Sequence, residues 1–208
     1  MTRELSDYHR RIRARNHTAI LNAAAELFLQ AGFDGTSLAR VADSAGVSKA
    51  TLFKQFPTKA QLFEATVLEA ASTPDTELGD LPSDDFRAGL VHLGRAYADM
   101  LARPRVAALM RMIIAEQPRF PELRELSFDF GTLTVLRALR RHLREADAAG
   151  TADIDDFDIA TTQFLGLIAS AVFWPRLVHG TWSLTEEEEG RAIHEAATTI
   201  AARYALSP

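Results

Sequence analysis

The chain has three lysines, Lys49, Lys54 and Lys59, and they lie within one short segment at five-residue intervals. The other basic groups in the chain are arginines and histidines. Ammonium groups bind phosphates and guanine edges, and the hydroxyl and amide side chains near these lysines bind base edges. A solvated polar face is the alternative interpretation, but the clustering of the lysines favours a nucleic-acid surface.

The residues around the lysines predict a helix-turn-helix over 36–59. Thr36 or Ser37 can cap a first helix, Gly46 provides a turn with positive φ, and Ser48 caps a short second helix that Pro57 ends. The apolar positions of the two helices have helical spacing. They are Leu38, Val41, Ala42 and Ala45 in the first helix, with Leu52 and Phe56 in the second.

Residues 19–63 resemble the DNA-binding domain of the tetracycline-repressor (TetR) family of transcriptional regulators. The similarity rests on the helix AILNAAAELF, the Gly-Phe turn, the Thr-Ser start of the next helix, the AGVS turn and the ending FKQF. Phe53 stands where the family commonly has Tyr, and Gln55 where it commonly has His, so the operator preference does not carry over. Together, the residues and the resemblance predict DNA contacts at Thr36, Ser37, Arg40, Ser48, Lys49, Ala50, Thr51, Phe53, Lys54, Gln55 and Lys59.

Charge is distributed unevenly along the 208 residues, whose formal net charge is −5. Residues 1–60 carry +4 and residues 61–208 carry −9. A basic head on an acidic body still attracts phosphate locally, because charges are screened within about 8 Å at physiological salt. The arginine-rich residues 1–15 predict either a frayed arm or a segment that contacts the DNA backbone.

The sequence predicts an all-α fold of about nine helices, because no strand pattern follows the head. Residues 1–60 are expected to be the DNA-binding domain, 61–83 a connecting helix and linker, and 84–208 a helical sensing and dimerisation domain. Helices are predicted from Asp84 to Leu101, from Pro104, and from Glu122 to about Ala148. No cysteine, apolar leader or membrane-length run is present, so a cytoplasmic location without a membrane partner is expected.

The segment Phe164 to Trp174 has a single polar residue, Ser170, and predicts a helix that lacks a polar face. A second copy of the chain is the simplest partner for such a helix. Ser183 and Glu186 predict a capping box for the last helix. The resemblance implies the same homodimer through the last two long helices. Its predicted interface comprises Phe164, Leu167, Ala169, Ala171, Val172, Ala196, Ile200 and Tyr204.

The function predicted from these features is a DNA-binding regulator, most simply a repressor, that binds a palindromic operator as a homodimer. The resemblance further implies release by a small effector, for which the sequence favours an apolar molecule because charged residues rarely interrupt the large apolar groups. The phrase AEQPRFPELRE is weakly similar to one subgroup of TetR C-terminal domains, the AefR-like one. The predicted pocket residues are Met100, Met110, Phe128, Phe130, Phe164, Phe173 and Trp174.

The sequence is less consistent with two other classes of function. A small metal-dependent enzyme would use Asp155, Asp156 and Asp158, but aspartates at a helix start are ordinary caps. The histidines lack zinc spacing, and neither a phosphate loop nor a nucleophile motif is present, so no enzyme activity and no cofactor are expected. A constitutive architectural DNA-binding protein would not need the acidic helical body.

Overall fold

The structure is a computed structural model that describes residues 2–74, 78–79, 81, 85–124 and 133–206, with the backbone alone for residues 2–8 and Arg124. Secondary structure in these residues is helical apart from an isolated antiparallel bridge between Ala152 and Ala205. The predicted all-α fold is confirmed. The eleven helices of the described residues are α1 (Thr2–Ala31), α2 (Leu38–Ser44), α3 (Lys49–Gln55), α4 (Lys59–Ala70), α5 (Phe86–Ala102), α6 (Pro104–Glu116), α7 (Pro121–Arg124), α8 (Thr134–Ala148), α9 (Phe157–Val172), α10 (Trp174–Val178) and α11 (Glu186–Tyr204).

The chain divides into two compact units. The first comprises Met1–Ala70 with Ala108–Phe128, and the second comprises Ala71–Ala107 with Asp129–Pro208. The sequence placed the boundary near residues 72–85 but assigned residues 108–128 to the C-terminal domain. Phe120 explains the difference, because its ring lies 5.1 Å from that of Phe33 in the core of the first unit.

The core of the first unit is an aromatic cluster of Phe28, Phe33 and Phe63, all fully buried. The Phe28 and Phe63 ring centroids are 4.9 Å apart and those of Phe33 and Phe63 are 5.5 Å apart, both edge to face. Such pairs add about 0.5–1.5 kcal/mol beyond the burial of their area. The cluster joins the end of α1 to the middle of α4.

The second unit is built on close contacts of α5 with α8, α9 and α11. A Cβ added at Gly94 of α5 would lie 2.9 Å from Cγ2 of Ile193 and 3.1 Å from Cδ1 of Ile168. A Cβ at Gly89 would lie 2.2 Å from Cε1 of His142, whose ring stacks on Phe86. Glycine at these two positions therefore lets the neighbouring helices approach the backbone of α5 directly.

Three predicted helix limits are wrong. The helix expected from Glu122 to Ala148 is interrupted at Leu133, which has an extended backbone and precedes α8. Residues 1–15 were expected to be an arm, but α1 is continuous from Thr2. The capping box of the last helix is formed by Thr185 and Glu188, two residues after the predicted pair.

None of the described helices has both the length and the apolar content needed to cross a lipid bilayer.

Candidate nucleic-acid interface

The turn between α2 and α3 follows from local hydrogen bonds. Ser37 caps α2, and its Oγ accepts a hydrogen bond from the backbone N–H of Arg40 at 3.2 Å. After α2, Gly46 has φ of 65°, a value that side-chain-bearing residues rarely adopt. The N–H of Val47 then donates to the carbonyl of Ala42 at 3.0 Å and closes the turn. The predicted turn at Gly46 is confirmed.

Helix α3 has one buried and one exposed side. Ser48 caps it by accepting the backbone N–H of Thr51 at 3.1 Å, as predicted. Leu52 is fully buried and Phe56, which follows the helix, is 6% exposed, so these two residues anchor α3 to the unit. The exposed side presents Lys49, Ala50, Phe53 and Lys54. A helix with exposed ammonium groups and without carboxylates suits the major groove of DNA.

Two of the predicted DNA-contacting residues have structural positions instead. Thr36 is 2% exposed, and its hydroxyl is directed at the carbonyls of Gly32, at 2.8 Å, and Leu27, at 3.1 Å. Lys59 donates from Nζ to the carbonyl of Phe33 at 2.7 Å and lies 4.4 Å from the centre of that ring. The sequence pattern could not separate these residues from the exposed ones, because the partners are up to 26 positions away.

Arg40 and Thr51 lie at the edge of the exposed surface. Arg40 donates from Nη1 to the carbonyl of Gly35 at 2.6 Å, which fixes the guanidinium beside the start of α2. Thr51 is half-buried, and its hydroxyl lies 2.8 Å from that of Ser48. Ser37, Arg40 and Ser48 are exposed, so they remain candidates for phosphate contacts.

His17 is a residue at this surface that the sequence analysis did not select. Its Nδ1 lies 2.9 Å from Oε1 of Gln55, and its ring stacks on Phe56 with centroids 5.4 Å apart. The sequence did contain an indication of this position, because His17 continues the helical spacing of the buried Ile20, Leu21 and Ala24 and so lies on the same side of α1. The structure thus connects α1 to the last residue of α3.

The predicted dimer residues divide into two groups. Leu167 is 41% exposed and Ala171 is half-exposed. The other six are at most 7% exposed inside the single chain, which corrects their assignment to an interface; they are Phe164, Ala169, Val172, Ala196, Ile200 and Tyr204. They form the contacts of α9 and α11 within the second unit, where Tyr204 also donates its hydroxyl to Oε1 of Gln163 at 3.1 Å.

The exposed side of α9 is nevertheless uncharged from Ile159 onward, and it combines apolar residues with neutral polar ones such as Thr162 and Gln163. Ile159 is 51% exposed, and Gly166, Leu167 and Ser170 continue the same side of the helix. No charged residue occurs from Ile159 to Pro175. Trp174, at the start of α10, extends this surface with an exposure of 55%.

The predicted pocket residues are divided between the two units and differ in exposure. Met100, Phe164 and Phe173 are buried in the second unit, whereas Trp174 is exposed there and Met110 belongs to the first unit. Phe128 and Phe130 lie outside the described residues. Tyr97, one turn before Met100, is half-buried, and burial raises its pKa from the usual 10 to about 12.

A cleft of about 560 Å³ in the second unit is lined by residues that the sequence did not predict. Its volume is within the range of pockets for small molecules. Apolar side chains come from the segment before α5, and α8 contributes both apolar and basic ones. The lining comprises Leu78, Gly79, Leu81, Thr134, Arg137, Ala138 and Arg141.

Two of the three aspartates considered for a metal, Asp156 and Asp158, have other partners. Oδ1 of Asp156 accepts the backbone N–H groups of Asp158 and Ile159, both at 2.9 Å, and so caps α9. Asp158 pairs with Arg140 at 3.1 Å. Asp156 therefore has the capping role that the sequence offered as the alternative to metal binding.

Two protein families match the chain. Residues 20–66 match the family described as bacterial regulatory proteins, tetR family. Residues 88–206 match the family described as AefR-like transcriptional repressor, C-terminal domain. The second match alone covers more than half of the chain.

Individual relatives agree with these matches. The transcriptional repressor BdcR of Escherichia coli is 38% identical over 69 residues, which are 33% of this chain and 35% of that protein, so the chain matches about a third of this relative's length. The solved structure of the flavonoid-responsive regulator FrrA is 32% identical, with 94% of this chain and 100% of that chain covered and a TM-score of 0.69. A TetR regulator from Agrobacterium tumefaciens has the same fold, with a TM-score of 0.74, 21% identity, and 94% and 95% of the two chains covered.

Proposed function

The chain belongs to the TetR family of bacterial transcriptional regulators, and from this premise we propose that it is a repressor that binds a palindromic operator as a homodimer and is released by a small effector. The exposed side of α3 is the observation that carries the DNA-binding part of this proposal. It presents Lys49 and Lys54 on a helix whose other side is held by Leu52 and Phe56. The lysines supply charge for phosphates, and the rigid support fixes the register of α3 in the groove.

The exposed side of α9 supports the homodimer. It is free of charge from Ile159 to Pro175 and includes the exposed side chains of Leu167 and Trp174. A second copy of the same surface would cover both, because a two-fold axis places each patch on itself. Two copies of α3 would then reach two half-sites. Once the first unit of one copy has bound, the dimer presents the first unit of the other copy at a high effective concentration.

We place the effector in the cleft lined by Leu78, Leu81 and Thr134, with Arg137 and Arg141 at its side. The mixed lining favours an aromatic, mostly apolar molecule with hydroxyl or acidic groups that accept hydrogen bonds from arginine. FrrA, with 32% identity over the length of its chain, is described as flavonoid-responsive. A flavonoid is therefore the first probe.

DNA binding is tested by selection from a random-sequence duplex library, followed by footprinting of the selected site. We expect an inverted repeat with half-sites roughly 34–36 Å apart, about one helical turn, or a modest multiple of that spacing. Failure to enrich any sequence, or a footprint without a dyad, would contradict the proposal.

The effector site is tested by release of the selected duplex on addition of a flavonoid. Thr134→Trp should narrow the cleft and reduce the response, while DNA binding without effector is retained. Ala148→Trp is the matched control, because Ala148 is exposed on the same helix. Equal responses of the two variants would place the effector elsewhere.

A further inference from the structure

His17 and Gln55 form a contact between the scaffold helix and the end of the DNA-facing helix. The Nδ1 of His17 lies 2.9 Å from Oε1 of Gln55, although the residues are 38 positions apart. The His17 ring also stacks on Phe56 at an interplanar angle of 27°. His17 is exposed and Gln55 is half-buried, so the pair lies at the edge of the candidate DNA surface.

The two contacts of His17 do different things. The ring contact adds to the packing of Phe56, which is 6% exposed and therefore already buried in the unit. The Nδ1 contact acts on the Gln55 amide, which otherwise rotates among several orientations. A carboxamide oxygen accepts, so an N–H at Nδ1 donates to it, both in the neutral ring with that tautomer and in the imidazolium.

We propose that His17 is a positioning residue that fixes the Gln55 amide for reading a base edge. This inference rests on the proposed DNA binding. With Oε1 directed at His17, the amide nitrogen is the group left to donate to the major groove. The acceptors there are N7 and O6 of guanine, N7 of adenine and O4 of thymine, whereas cytosine presents an amino donor. Fixing the amide in advance also reduces the entropy lost on binding.

The proposal predicts a particular preference at one position of each half-site. The wild-type protein should bind sites with cytosine at that position roughly five times more weakly, which is the effect of losing one hydrogen bond. Gln55→Ala identifies that position, because only the base that Gln55 contacts should lose its preference. The positions contacted from Lys49 and Lys54 are the internal control.

Three substitutions of His17 distinguish the effect of its N–H donor from the effect of its ring packing on Phe56. His17→Phe keeps a ring on Phe56 but has no donor, and His17→Leu is a second variant without a donor in case the first does not fold. His17→Asn lacks the ring but places an amide nitrogen as many bonds from the backbone as Nδ1. We expect the Phe and Leu variants to lose the preference at the Gln55 position and the Asn variant to retain it.

The measurement is sequencing of duplexes selected from a random-sequence library by each variant, together with the affinity for an unrelated duplex. In the Gln55→Ala background, His17→Phe should have no further effect on the preference. The proposal is overturned if folded His17→Phe or His17→Leu keeps the wild-type preference, or if His17→Asn loses it as they do. Absence of any selected sequence with the wild-type protein would instead count against the proposed function itself.

Discussion

Helices α3 and α9 each bury one apolar side in their own unit, but their exposed sides differ. The exposed side of α3 has Lys49 and Lys54, and the exposed side of α9 has no charge from Ile159 to Pro175. A cationic surface attracts a polyanion at a distance, whereas the exposed apolar side chains of an uncharged surface gain free energy only from close contact with other apolar groups. This contrast agrees with the proposal that α3 binds DNA and that α9 binds a second copy of the chain.

The largest expected effect is the loss of stability caused by a charge on the buried side of α9. Ala169→Asp introduces a carboxylate where the side chain is 7% exposed within the chain, and an unpaired buried charge costs roughly 3–5 kcal/mol. We expect loss of folding in the second unit. Both tryptophans, Trp174 and Trp182, are in that unit, so their fluorescence during denaturant unfolding measures the change.

Leu167→Asp is the matched control on the exposed side of the same helix. Leu167 is 41% exposed, so the variant should keep a cooperative denaturant transition, as a folded protein does, but sediment as a monomer. A dimer of unchanged stability from Leu167→Asp would mean that the exposed side of α9 is not the interface.

The next effect concerns the exposed lysines of α3. Lys49→Ala and Lys54→Ala should each weaken operator binding and lower the slope of log K against log salt by about 1, the value for one lost phosphate contact. Arg144→Ala is the control, because Arg144 is exposed on α8 in the second unit and does not line the effector cleft. A larger loss from Arg144→Ala than from either lysine variant would place the DNA surface on the second unit.

A smaller effect is expected at the start of α11. Thr185 donates to Oε2 of Glu188 from its backbone N–H at 2.9 Å and from its hydroxyl at 3.0 Å, and these bonds lower the pKa of Glu188 from the usual 4.5. Thr185→Ala should cost about 1 kcal/mol, as the loss of a cap does. The pKa of Glu188 is lower in the folded state than in the unfolded state. Its ionised carboxylate therefore adds to the free energy of unfolding above pH 4.5, and this contribution is lost as the pH falls through the folded-state pKa.

Unfolding of the wild-type protein and of Glu188→Gln, measured between pH 3 and pH 7, tests this dependence. The two stability curves should converge at low pH. Curves that stay parallel would show that the carboxylate does not act through its charge.

The smallest effect is expected for Phe53→Tyr. Phe53 is 48% exposed on α3, so a hydroxyl can be added without displacing any buried atom. A new phosphate contact would strengthen operator binding by up to about 1 kcal/mol, and without it binding should be unchanged. A large loss in a mobility-shift titration would show that the ring is buried against DNA.

Local signals in the sequence predicted the first unit better than the second. The turn at Gly46 and the cap at Ser48 depend on residues within a few positions, and both were predicted. The capping box was placed two residues early because Ser183 with Glu186 and Thr185 with Glu188 have the same spacing. Only the packed structure selects between them.

Contacts over long sequence separations account for most of the remaining errors. The bond from Lys59 to Phe33 spans 26 positions, and the contact of His17 with Gln55 spans 38. From Phe164 to Val172 nearly every residue of α9 is apolar, so hydrophobic spacing could not distinguish the buried Ala169 from the exposed Leu167. The helix-turn-helix could therefore be predicted from the sequence, whereas the residues exposed on each surface could be identified only from the structure.

The different positions of the three lysines make the chain suitable for chemical footprinting. An acylating reagent attacks an amine that is free to react, and the Nζ of Lys59 is held by the carbonyl of Phe33 beneath an aromatic ring. Lys49 and Lys54 are both exposed on the face assigned to DNA. Mass spectrometry of the acylated protein, with and without operator, would therefore report occupancy of α3 from two side chains, and Lys59 would serve as the slow internal reference.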